Sequence, residues 1–248
     1  MQTILITGCS SGFGLETARL FADRGWNVVA TMRSPRSDAL PSSERVRVLP
    51  LDVTDAASIA RAVDAAGPID ALVNNAGIGL LGAVEGTPIT AARDVFETNT
   101  LGTIAMTQAA LPQMRERRAG VIVNVTSTVT FAPLPLLSIY TASKAAVNAF
   151  SDSMAIELEP FGIRVRVVLP GRAPATSFYD NAQPRMAGAI PEPYAQLADR
   201  VFAGWQADIG PVTSADEVAE AVWQAVTDQD SPAHIPAGAD AVAWSRAV

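Results

Sequence analysis

Tyr140 and Lys144 lie four positions apart at the start of an alanine-rich segment with a helical pattern. Side chains at positions i and i+4 of a helix share one face, so the ammonium group would lie beside the phenol. A phenol with an unperturbed pKa of about 10 exchanges protons poorly near neutral pH, and a neighbouring cation lowers that pKa. The pair therefore predicts a tyrosine that acts as a general acid and base. The alternative is an ordinary exposed helix face.

A glycine-rich turn near the start of the sequence is a second candidate site. An apolar run over residues 2–6 precedes it, and the periodicity of residues 15–24 predicts a helix after it. Backbone N–H groups and the positive end of the helix dipole face such a turn, which suits an anion. Binding of a pyrophosphate is therefore favoured over a plain strand-to-helix turn. The glycines, whose spacing differs from the commonest dinucleotide fingerprint, are Gly8, Gly12 and Gly14.

Five short motifs follow one another along the chain. They are Thr7-Gly-x-x-x-Gly-x-Gly, Asn74-Asn-Ala-Gly, Asn99-x-x-Gly, Ser127 and Tyr140-x-x-x-Lys. The gap of 13 positions between Ser127 and Tyr140 also has a counterpart in a known family. In residue types, order and spacing the motifs resemble the short-chain dehydrogenase/reductase family. The resemblance covers essentially the whole chain.

The elements that must position these residues follow from composition and periodicity. A chain of 248 residues that is 49% hydrophobic can bury a large core as one α/β domain. Apolar strands alternate with helical stretches, which predicts a single doubly wound Rossmann-type domain over residues 1–248. Its mostly parallel, seven-stranded sheet has helices on both faces. The expected strands are residues 4–7, 27–31, 46–50, 71–74, 121–126, 164–169 and 233–236.

One long segment breaks this alternation of strands and helices. Residues 170–183 have no regular pattern, and Pro184, Pro191 and Pro193 follow. Long irregular insertions in compact domains are usually lids or binding loops. Residues 170–210 are therefore predicted to form a substrate lid within the domain.

Composition and charge exclude several classes of partner. The net charge of −7 leaves no basic patch on the scale that nucleic acid requires. The one cysteine, Cys9, cannot form an intrachain disulfide. No segment approaches the roughly 20 apolar residues of a membrane span, and the start lacks the basic region of a signal peptide. We therefore expect a cytoplasmic protein without a nucleic-acid, membrane or metal partner.

The resemblance places the choice of cofactor at the end of the second strand. Met32 stands where members that use NAD carry an acid, and Arg33 follows it. A guanidinium can bind a phosphate through two hydrogen bonds, and Ser11 resembles the family's hydroxyl partner for the same group. These residues predict NADP. The alternative is that Arg33 is a solvated surface residue.

Further cofactor contacts are implied by the same resemblance. Asp52 and Val53 resemble the pair that contacts adenine, although Asp52 could instead cap the helix that begins near Asp55. A threonine is expected near position 175, but Ala175 stands there and Thr176 follows, so the contact to the nicotinamide carboxamide is left open. The other expected cofactor residues are Gly8, Ser10, Ser11, Gly12, Phe13, Gly14, Asn74, Ala76, Gly77, Tyr140, Lys144, Pro170 and Gly171.

Four residues resemble the family's catalytic set. Tyr140 would donate a proton to the oxygen of a carbonyl that accepts hydride, and Ser127 would hydrogen-bond the same oxygen. Lys144 would lower the Tyr140 pKa and bind the nicotinamide ribose. Asn99, expected in one long helix over residues 89–117, would hold a water that links Lys144 to solvent. The alternative for Asn99 is a buried amide that bridges backbone groups.

The substrate and the assembly are implied less directly. The loop between Ser127 and Tyr140 is rich in apolar residues and lies along the substrate cleft in the family, so an apolar carbonyl compound or alcohol is expected. The alternative is that these residues only pack under the lid. Family members pair the tyrosine helix and the preceding long helix, which implies a homodimer or homotetramer. The function implied is an NADP(H)-dependent oxidoreductase; a non-catalytic nucleotide-sensing regulator is the alternative.

Overall fold

The structure, a computed structural model, describes residues 1–36, 40, 43–176, 182 and 188–247. Its strands are β1 (Thr3–Ile6), β2 (Asn27–Met32), β3 (Val46–Pro50), β4 (Ala71–Asn74), β5 (Gly120–Val125), β6 (Ile163–Pro170) and β7 (His234–Ala237). In this part of the chain they form one sheet in the order β3-β2-β1-β4-β5-β6-β7. Every neighbouring pair is parallel, so the predicted doubly wound fold is confirmed.

Helices connect these strands. The α-helices are α1 (Gly12–Asp23), α2 (Ala56–Ala66), α3 (Ile89–Phe96), α4 (Gly102–Arg117), α5 (Ser138–Leu158), α6 (Ala195–Ala207), α7 (Ala215–Thr227) and α8 (Ala239–Ser245). Shorter turns are the π-helical Glu97–Leu101 and the 3-10 turns Thr128–Thr130, Glu159–Phe161 and Glu192–Tyr194.

Each face of the sheet buries its own apolar cluster. On one face α1 and α7 pack together, and the ring of Phe21 lies 5.2 Å from that of Trp26 and 5.0 Å from that of Trp223, between ring centroids. On the other face α2, α4 and α5 contribute side chains such as Met106 and Met154. Because the central strands are buried on both sides, they read as continuous apolar runs in the sequence. The edge strand β3 has no fully buried residue.

The order of the strands opens a crevice at one edge of the sheet. β1 lies between β2 and β4, so the chain winds in opposite directions on the two sides of β1. The loops that follow β1 and β4 therefore diverge at the carboxyl ends of the strands, which is where ligands bind in folds of this type.

The segment 89–117 differs from the single long helix that the sequence predicted. The π-helical turn Glu97–Leu101 separates α3 from α4 and contains Asn99. Such turns add a residue to the helical path and change the direction of the side chains that follow. Helical periodicity alone does not indicate this extra residue.

The predicted lid lies partly outside the described residues, at 177–181 and 183–187. Its later part contains α6, which packs on a small apolar cluster that includes Leu81, Leu136 and Ala198. The N–H of Ala83 donates to the carbonyl of Ala189 at 2.8 Å, which ties the chain before α6 to the loop after β4. Within the residues described, no helix is both long and apolar enough to cross a membrane.

Candidate active site

Ser127, Tyr140 and Lys144 meet at the carboxyl edge of the sheet. Ser127 follows β5, and its hydroxyl oxygen accepts a hydrogen bond from the N–H of Val129 at 3.3 Å, capping a short 3-10 turn. α5 then places Tyr140 and Lys144 one turn apart on the same face. The Lys144 ammonium lies 6.0 Å from the centre of the Tyr140 ring, and the Tyr140 phenol is hydrogen-bonded to Ser127.

Burial dominates the chemistry of Tyr140. Desolvation raises the pKa of its phenol, and the hydrogen bond with Ser127 offsets only part of that effect. The spacing of Tyr140 and Lys144 predicted a lowered pKa for Tyr140, because the nearby cation favours the phenolate. That prediction left out the loss of water around both groups. That prediction is wrong for the chain by itself. Tyr140 keeps its proton at neutral pH and can donate it.

Lys144 is buried as deeply as its partner. Its ammonium donates to the carbonyl of Val125, the last residue of β5, at 3.0 Å. Desolvation lowers the pKa of Lys144 to about 8. The lysine is therefore held by the same strand that carries Ser127, and it changes charge in a mildly alkaline range instead of near its usual value.

The side chain of Asn99 bridges backbone groups, as the alternative reading of this residue predicted. Its amide oxygen accepts from the N–H of Ile78 at 2.8 Å, and its NH2 donates to the Ile78 carbonyl at 3.0 Å and to the Ser143 hydroxyl at 3.1 Å. A Cβ at Gly77 would lie 3.2 Å from the Asn99 amide oxygen and 3.4 Å from the Lys144 ammonium. Gly77 thus keeps open the space between these two polar groups.

The glycine turn has the backbone geometry of an anion site. Gly8 and Gly12 have φ values of 75° and 58°, in the left-handed region that side chains disfavour. A Cβ at Gly8 would lie 2.9 Å from the backbone of Ala76, so the loops after β1 and β4 are in close contact. Ser11 precedes α1 with an extended backbone, and its side chain makes no hydrogen bond to cap the helix. The first N–H groups of α1 therefore face the crevice.

Two polar residues that were not predicted as site residues hold the loops together. The hydroxyl oxygen of Thr7 accepts from the N–H groups of Asn75 and Ala76 at 3.0 and 2.9 Å. The Asn75 side chain returns the contact by donating to the carbonyls of Thr7 and Gly8 at 2.9 and 3.2 Å. Their positions inside the recognised motifs were the available signal. Because the contacts join residues nearly 70 positions apart, local periodicity could not show them.

A cavity of about 880 Å³ extends from the glycine turn along the carboxyl edge. Its volume is within the roughly 300–1,000 Å³ typical of cofactor sites. The unpredicted lining residues include Asn75, Thr54 and Ile78. The predicted cofactor residues that line it are Gly8, Ser10, Ser11, Gly12, Phe13, Arg33, Asp52, Val53, Ala76, Gly77 and Thr176.

Other predicted cofactor residues lie beside or beneath this cavity. Gly14 packs under the turn, where a Cβ would collide with the Asn75 side chain. Asn74 is buried in the sheet, and its NH2 donates to the Asn124 side chain at 2.9 Å and to the Thr107 hydroxyl at 3.2 Å. Asn74 therefore holds strands and helix together and does not present its side chain to a ligand.

Charged residues surround the end of the cavity next to β2. The pKa of Asp52 is lowered, chiefly by hydrogen bonds from the N–H and hydroxyl of Thr54 and less by the nearby Arg33. The alternative of Asp52 as a helix cap is wrong, since Asp55 caps α2 by accepting from the N–H of Ala57 at 2.9 Å. Asp52 is thus free of a capping role and lines the cavity.

Arg36 is a second cation at this end that the sequence analysis missed. Its guanidinium donates to the carbonyl of Ser10 at 2.9 Å and so reaches across to the glycine turn. Arg33, three residues earlier, lines the cavity. The turn with open N–H groups and these guanidinium groups suit a ligand with several phosphates. The residues present therefore fit a phosphorylated dinucleotide.

The loop after β6 approaches the cavity from the other side. The Thr176 hydroxyl donates to the carbonyl of Ala173 at 2.8 Å. The Thr176 side chain lines the cavity and lies close to the glycine turn, since its Cβ would be 3.5 Å from a Cβ added at Gly12. Pro170 and Gly171 lie at the carboxyl end of β6, next to β5 and Ser127. The expected hydroxyl contact of Thr176 with a carboxamide is thus replaced, in this conformation, by a bond within the loop.

This fold and site define a dinucleotide-binding oxidoreductase of the Rossmann type. The sequence matches the model of the family described as short chain dehydrogenase over residues 2–187. It is 40% identical over 184 residues to the 3-ketodihydrosphingosine reductase of Bacteroides thetaiotaomicron, a match that covers 73% of this chain and 66% of that relative. The chain belongs to the short-chain dehydrogenase/reductase family.

Solved structures agree with this assignment. A short-chain dehydrogenase from Streptomyces avermitilis superposes with a TM-score of 0.83 at 33% identity, covering 99% of this chain and 91% of the other. A short-chain dehydrogenase from Burkholderia cenocepacia in complex with NADP superposes with a TM-score of 0.79 at 27% identity, covering 99% and 93%. The chain is accordingly a binder of NAD(P).

Proposed function

We propose that the protein is an NADP(H)-dependent oxidoreductase that interconverts a carbonyl compound and an alcohol, with Tyr140 as the general acid and base. The observation that carries the proposal is the buried group of Ser127, Tyr140 and Lys144, in which a phenol is hydrogen-bonded to a hydroxyl. None of the three lines the cavity, but Lys144 lies next to Gly77, which does. A bound nicotinamide supplies or accepts the hydride.

The residues have distinct parts in this proposal. In the reducing direction the Tyr140 phenol donates its proton to the oxygen of the substrate, which becomes negative as the hydride arrives. Ser127 holds the same oxygen through a second hydrogen bond. The raised pKa of Tyr140 suits an acid that must remain protonated in the resting site. In the oxidising direction Tyr140 would accept the proton of the alcohol, which requires the phenol to lose its own proton first, so its raised pKa favours the reducing direction.

Lys144 supplies protons to this site in the proposal, and Asn99 holds the water that links Lys144 to solvent. Lys144 lies one helical turn from Tyr140, and its lowered pKa lets it exchange a proton near neutral pH. The space that Gly77 leaves open between Lys144 and the Asn99 amide oxygen is where a water would link the lysine to solvent. Lys144 also contacts the nicotinamide ribose in this scheme, so it serves both binding and proton transfer.

The preference for NADP over NAD rests on Arg33. Its guanidinium lines the cavity near the glycine turn, and Arg36 adds a second positive charge there. Position 32 is a methionine, whereas members of the family that use NAD have a carboxylate at this position. A 2′-phosphate would therefore meet Arg33, with Arg36 close by at the glycine turn, while Asp52 is an acid that lines the same end of the cavity.

The proposal of an apolar substrate rests on a relative and not on the surroundings of α6. Leu136 and Leu137, from the loop between Ser127 and Tyr140, share an apolar cluster with α6, to which Phe202 and Trp205 contribute rings 5.9 Å apart. This is the packing under the lid that the alternative expected. The relative from Bacteroides thetaiotaomicron is named as the reductase of a keto group on a sphingoid base. We propose that residues 170–210 act as a lid over an apolar ketone or secondary alcohol.

A homodimer or homotetramer through α4 and α5 completes the proposal. Leu101 at the start of the α4 region and Ile156 near the end of α5 are 47% and 75% exposed. Exposed apolar side chains of this size are favoured where another subunit covers them. Light scattering that gives the mass of a single chain at micromolar concentration would contradict this part alone.

The function is tested by following the absorbance of reduced nicotinamide with a panel of apolar ketones. The proposal expects NADPH to be consumed in the presence of at least one ketone, with a much lower rate for NADH. Tight binding of NADPH without turnover of any ketone or alcohol would contradict it and favour a nucleotide-sensing regulator.

A further inference from the structure

Two buried polar residues far from the recognised motifs hold the loop that follows β6. Thr213 precedes α7 and is 2% exposed, and Asp240 lies in the first turn of α8 and is 8% exposed. A carboxylate at such a position needs hydrogen-bond donors to replace water. One donor is the N–H of Arg172 in the loop and the other is the hydroxyl of Thr213, so these two side chains and the loop form one polar cluster.

The hydrogen bonds of this cluster run in a chain. The N–H of Gly171 donates to the Thr213 hydroxyl at 2.9 Å, and that hydroxyl lies 2.6 Å from one carboxylate oxygen of Asp240. The other carboxylate oxygen accepts from the N–H of Arg172 at 2.6 Å. The N–H of Thr213 closes the set by donating to the carbonyl of Arg172 at 2.6 Å. Both N–H groups at the start of the loop are therefore fixed by Thr213 and Asp240.

Two glycines make these close approaches possible. A Cβ at Gly171 would collide with the carboxylate of Asp240, and a Cβ at Gly238 would collide with the hydroxyl of Thr213. Gly238 also has a φ of 98°, which favours glycine on its own account. Glycine is therefore needed at both positions for the Thr213 and Asp240 side chains to reach the backbone of the loop.

The loop fixed in this way runs between the two ends of the site. It begins at Pro170, beside β5 and Ser127, because the N–H of Thr126 donates to the carbonyl of Val168 at 2.8 Å. It reaches Thr176, whose side chain faces Gly12 of the glycine turn. A dinucleotide with its phosphates at the glycine turn and its reacting ring beside Tyr140 must pass along this loop.

We propose that Thr213 and Asp240 are positioning residues that hold residues 171–176 against the nicotinamide half of the cofactor. This inference rests on the proposed function, since it concerns where the reacting ring is held. The two side chains touch neither cofactor nor substrate and act through the backbone of Gly171 and Arg172. The adenosine half, bound at Arg33 and the loops after β1 and β4, is independent of them.

The test compares two ligands that share only the adenosine half. Affinities for NADPH and for adenosine 2′,5′-bisphosphate, which lacks the nicotinamide, are measured by calorimetric titration for the wild type and for Thr213→Val. Valine keeps the shape of threonine, leaves the Gly171 N–H without its acceptor and removes the hydroxyl that contacts the Asp240 carboxylate and the Ala237 carbonyl. We expect NADPH to bind about tenfold more weakly because the loop is no longer held at Gly171, and the bisphosphate to bind within twofold of the wild type.

Matched variants separate positioning from stability. Thr213→Ser keeps the hydroxyl and should restore the wild-type ratio of the two affinities. Thr107→Val removes another buried hydroxyl, on α4, which makes two hydrogen bonds where the Thr213 hydroxyl has three contacts. It should lower the melting temperature without changing that ratio. Asp240→Asn provides the same comparison if Thr213→Val does not fold. We expect it to weaken NADPH binding less, because one side-chain oxygen remains to accept from the N–H of Arg172.

Each outcome decides the inference. Equal weakening of both ligands by Thr213→Val, or an unchanged ratio in both Thr213→Val and Asp240→Asn, would show that the cluster only stabilises the fold. A wild-type protein that binds neither ligand would overturn the proposed function, and this inference with it. Weaker NADPH binding that Thr213→Ser restores, with the bisphosphate unaffected, supports the inference.

Discussion

The two ends of the site are built by different means. The proposed phosphate end, formed by residues 8–14 with Arg33 and Arg36, is shaped by backbone conformation and is open to solvent. The proposed catalytic end, formed by Ser127, Tyr140 and Lys144, consists of side chains that burial has stripped of water. A phosphorylated ligand at the first end would be bound by charge-assisted hydrogen bonds, whereas reactivity at the second end would depend on the cost of desolvation.

This difference explains why the sequence described one end better than the other. Glycines that must adopt positive φ are visible as glycines, so the anion site could be predicted from residue types. The directions of the pKa shifts at Tyr140 and Lys144 depend on how deeply the fold buries them. That depth is a property of the assembled sheet and helices, and no local pattern gives it.

The largest effect is expected from Tyr140→Phe, which tests whether the catalytic end works through its proton donor. Turnover should fall about 10²- to 10⁴-fold, since the proton donor is lost while the ring remains. NADPH affinity should stay within a few-fold, because the phosphate end is untouched. Steady-state kinetics and a binding titration measure both. Retention of a large share of wild-type turnover would show that another group donates the proton.

Arg33→Ala makes the converse change at the phosphate end. NADPH should bind about 10- to 150-fold more weakly, the equivalent of one charge-assisted hydrogen bond of about 1.5–3 kcal/mol. NADH affinity should hardly change. Arg61→Ala, which removes an exposed arginine on α2 outside the cavity, is the control for net charge. A wild type that binds NADH as tightly as NADPH would show that Arg33 faces only solvent.

Lys144→Met should make the folded chain more stable while it removes activity. The folded pKa of about 8 lies below the ordinary lysine value of 10.5, so the desolvation of the charged amine destabilises the folded state fully below pH 8. Removal of the charge should add about 1–3 kcal/mol to the free energy of unfolding at neutral pH, less than the full shift because the bond to Val125 is lost. Denaturant titrations of both proteins without cofactor measure the difference.

The sign of the pH dependence sharpens this prediction. Between pH 8 and 10.5 the unfolded state binds more protons at Lys144 than the folded state does, so this group makes the wild type more stable as pH rises. The advantage of Lys144→Met should therefore shrink across that range. An advantage that stays constant from neutral pH upward would mean that Lys144 is not desolvated.

The smallest effect is expected from Gly77→Ala. The added methyl group would approach the Asn99 amide oxygen and the Lys144 ammonium at 3.2 and 3.4 Å, so it needs only small shifts to fit but occupies the space between them. Turnover should fall several-fold with little change in melting temperature. Unchanged turnover and pH profile would show that no water in this gap takes part in proton transfer.

Particular residues show how far sequence reasoning reaches. The spacing of Ser127, Tyr140 and Lys144 predicted their meeting, and the strand pattern predicted the sheet to within one or two residues at each end. The hydrogen bonds that join Thr7 to Asn75 and Thr213 to Asp240 were not predicted as site features. Each joins segments separated by tens of residues, so only the folded chain brings the partners together.

The most direct test of the account is the pH dependence of kcat/KM for NADPH in the reduction of an apolar ketone, because this quantity reports the groups of the free enzyme. With Tyr140 protonated throughout, activity should persist through neutral pH and decline above pH 8 as Lys144 loses its proton. Activity that instead rises through this range, as for a Tyr140 that must first lose its proton, would contradict a buried phenol acting as the acid.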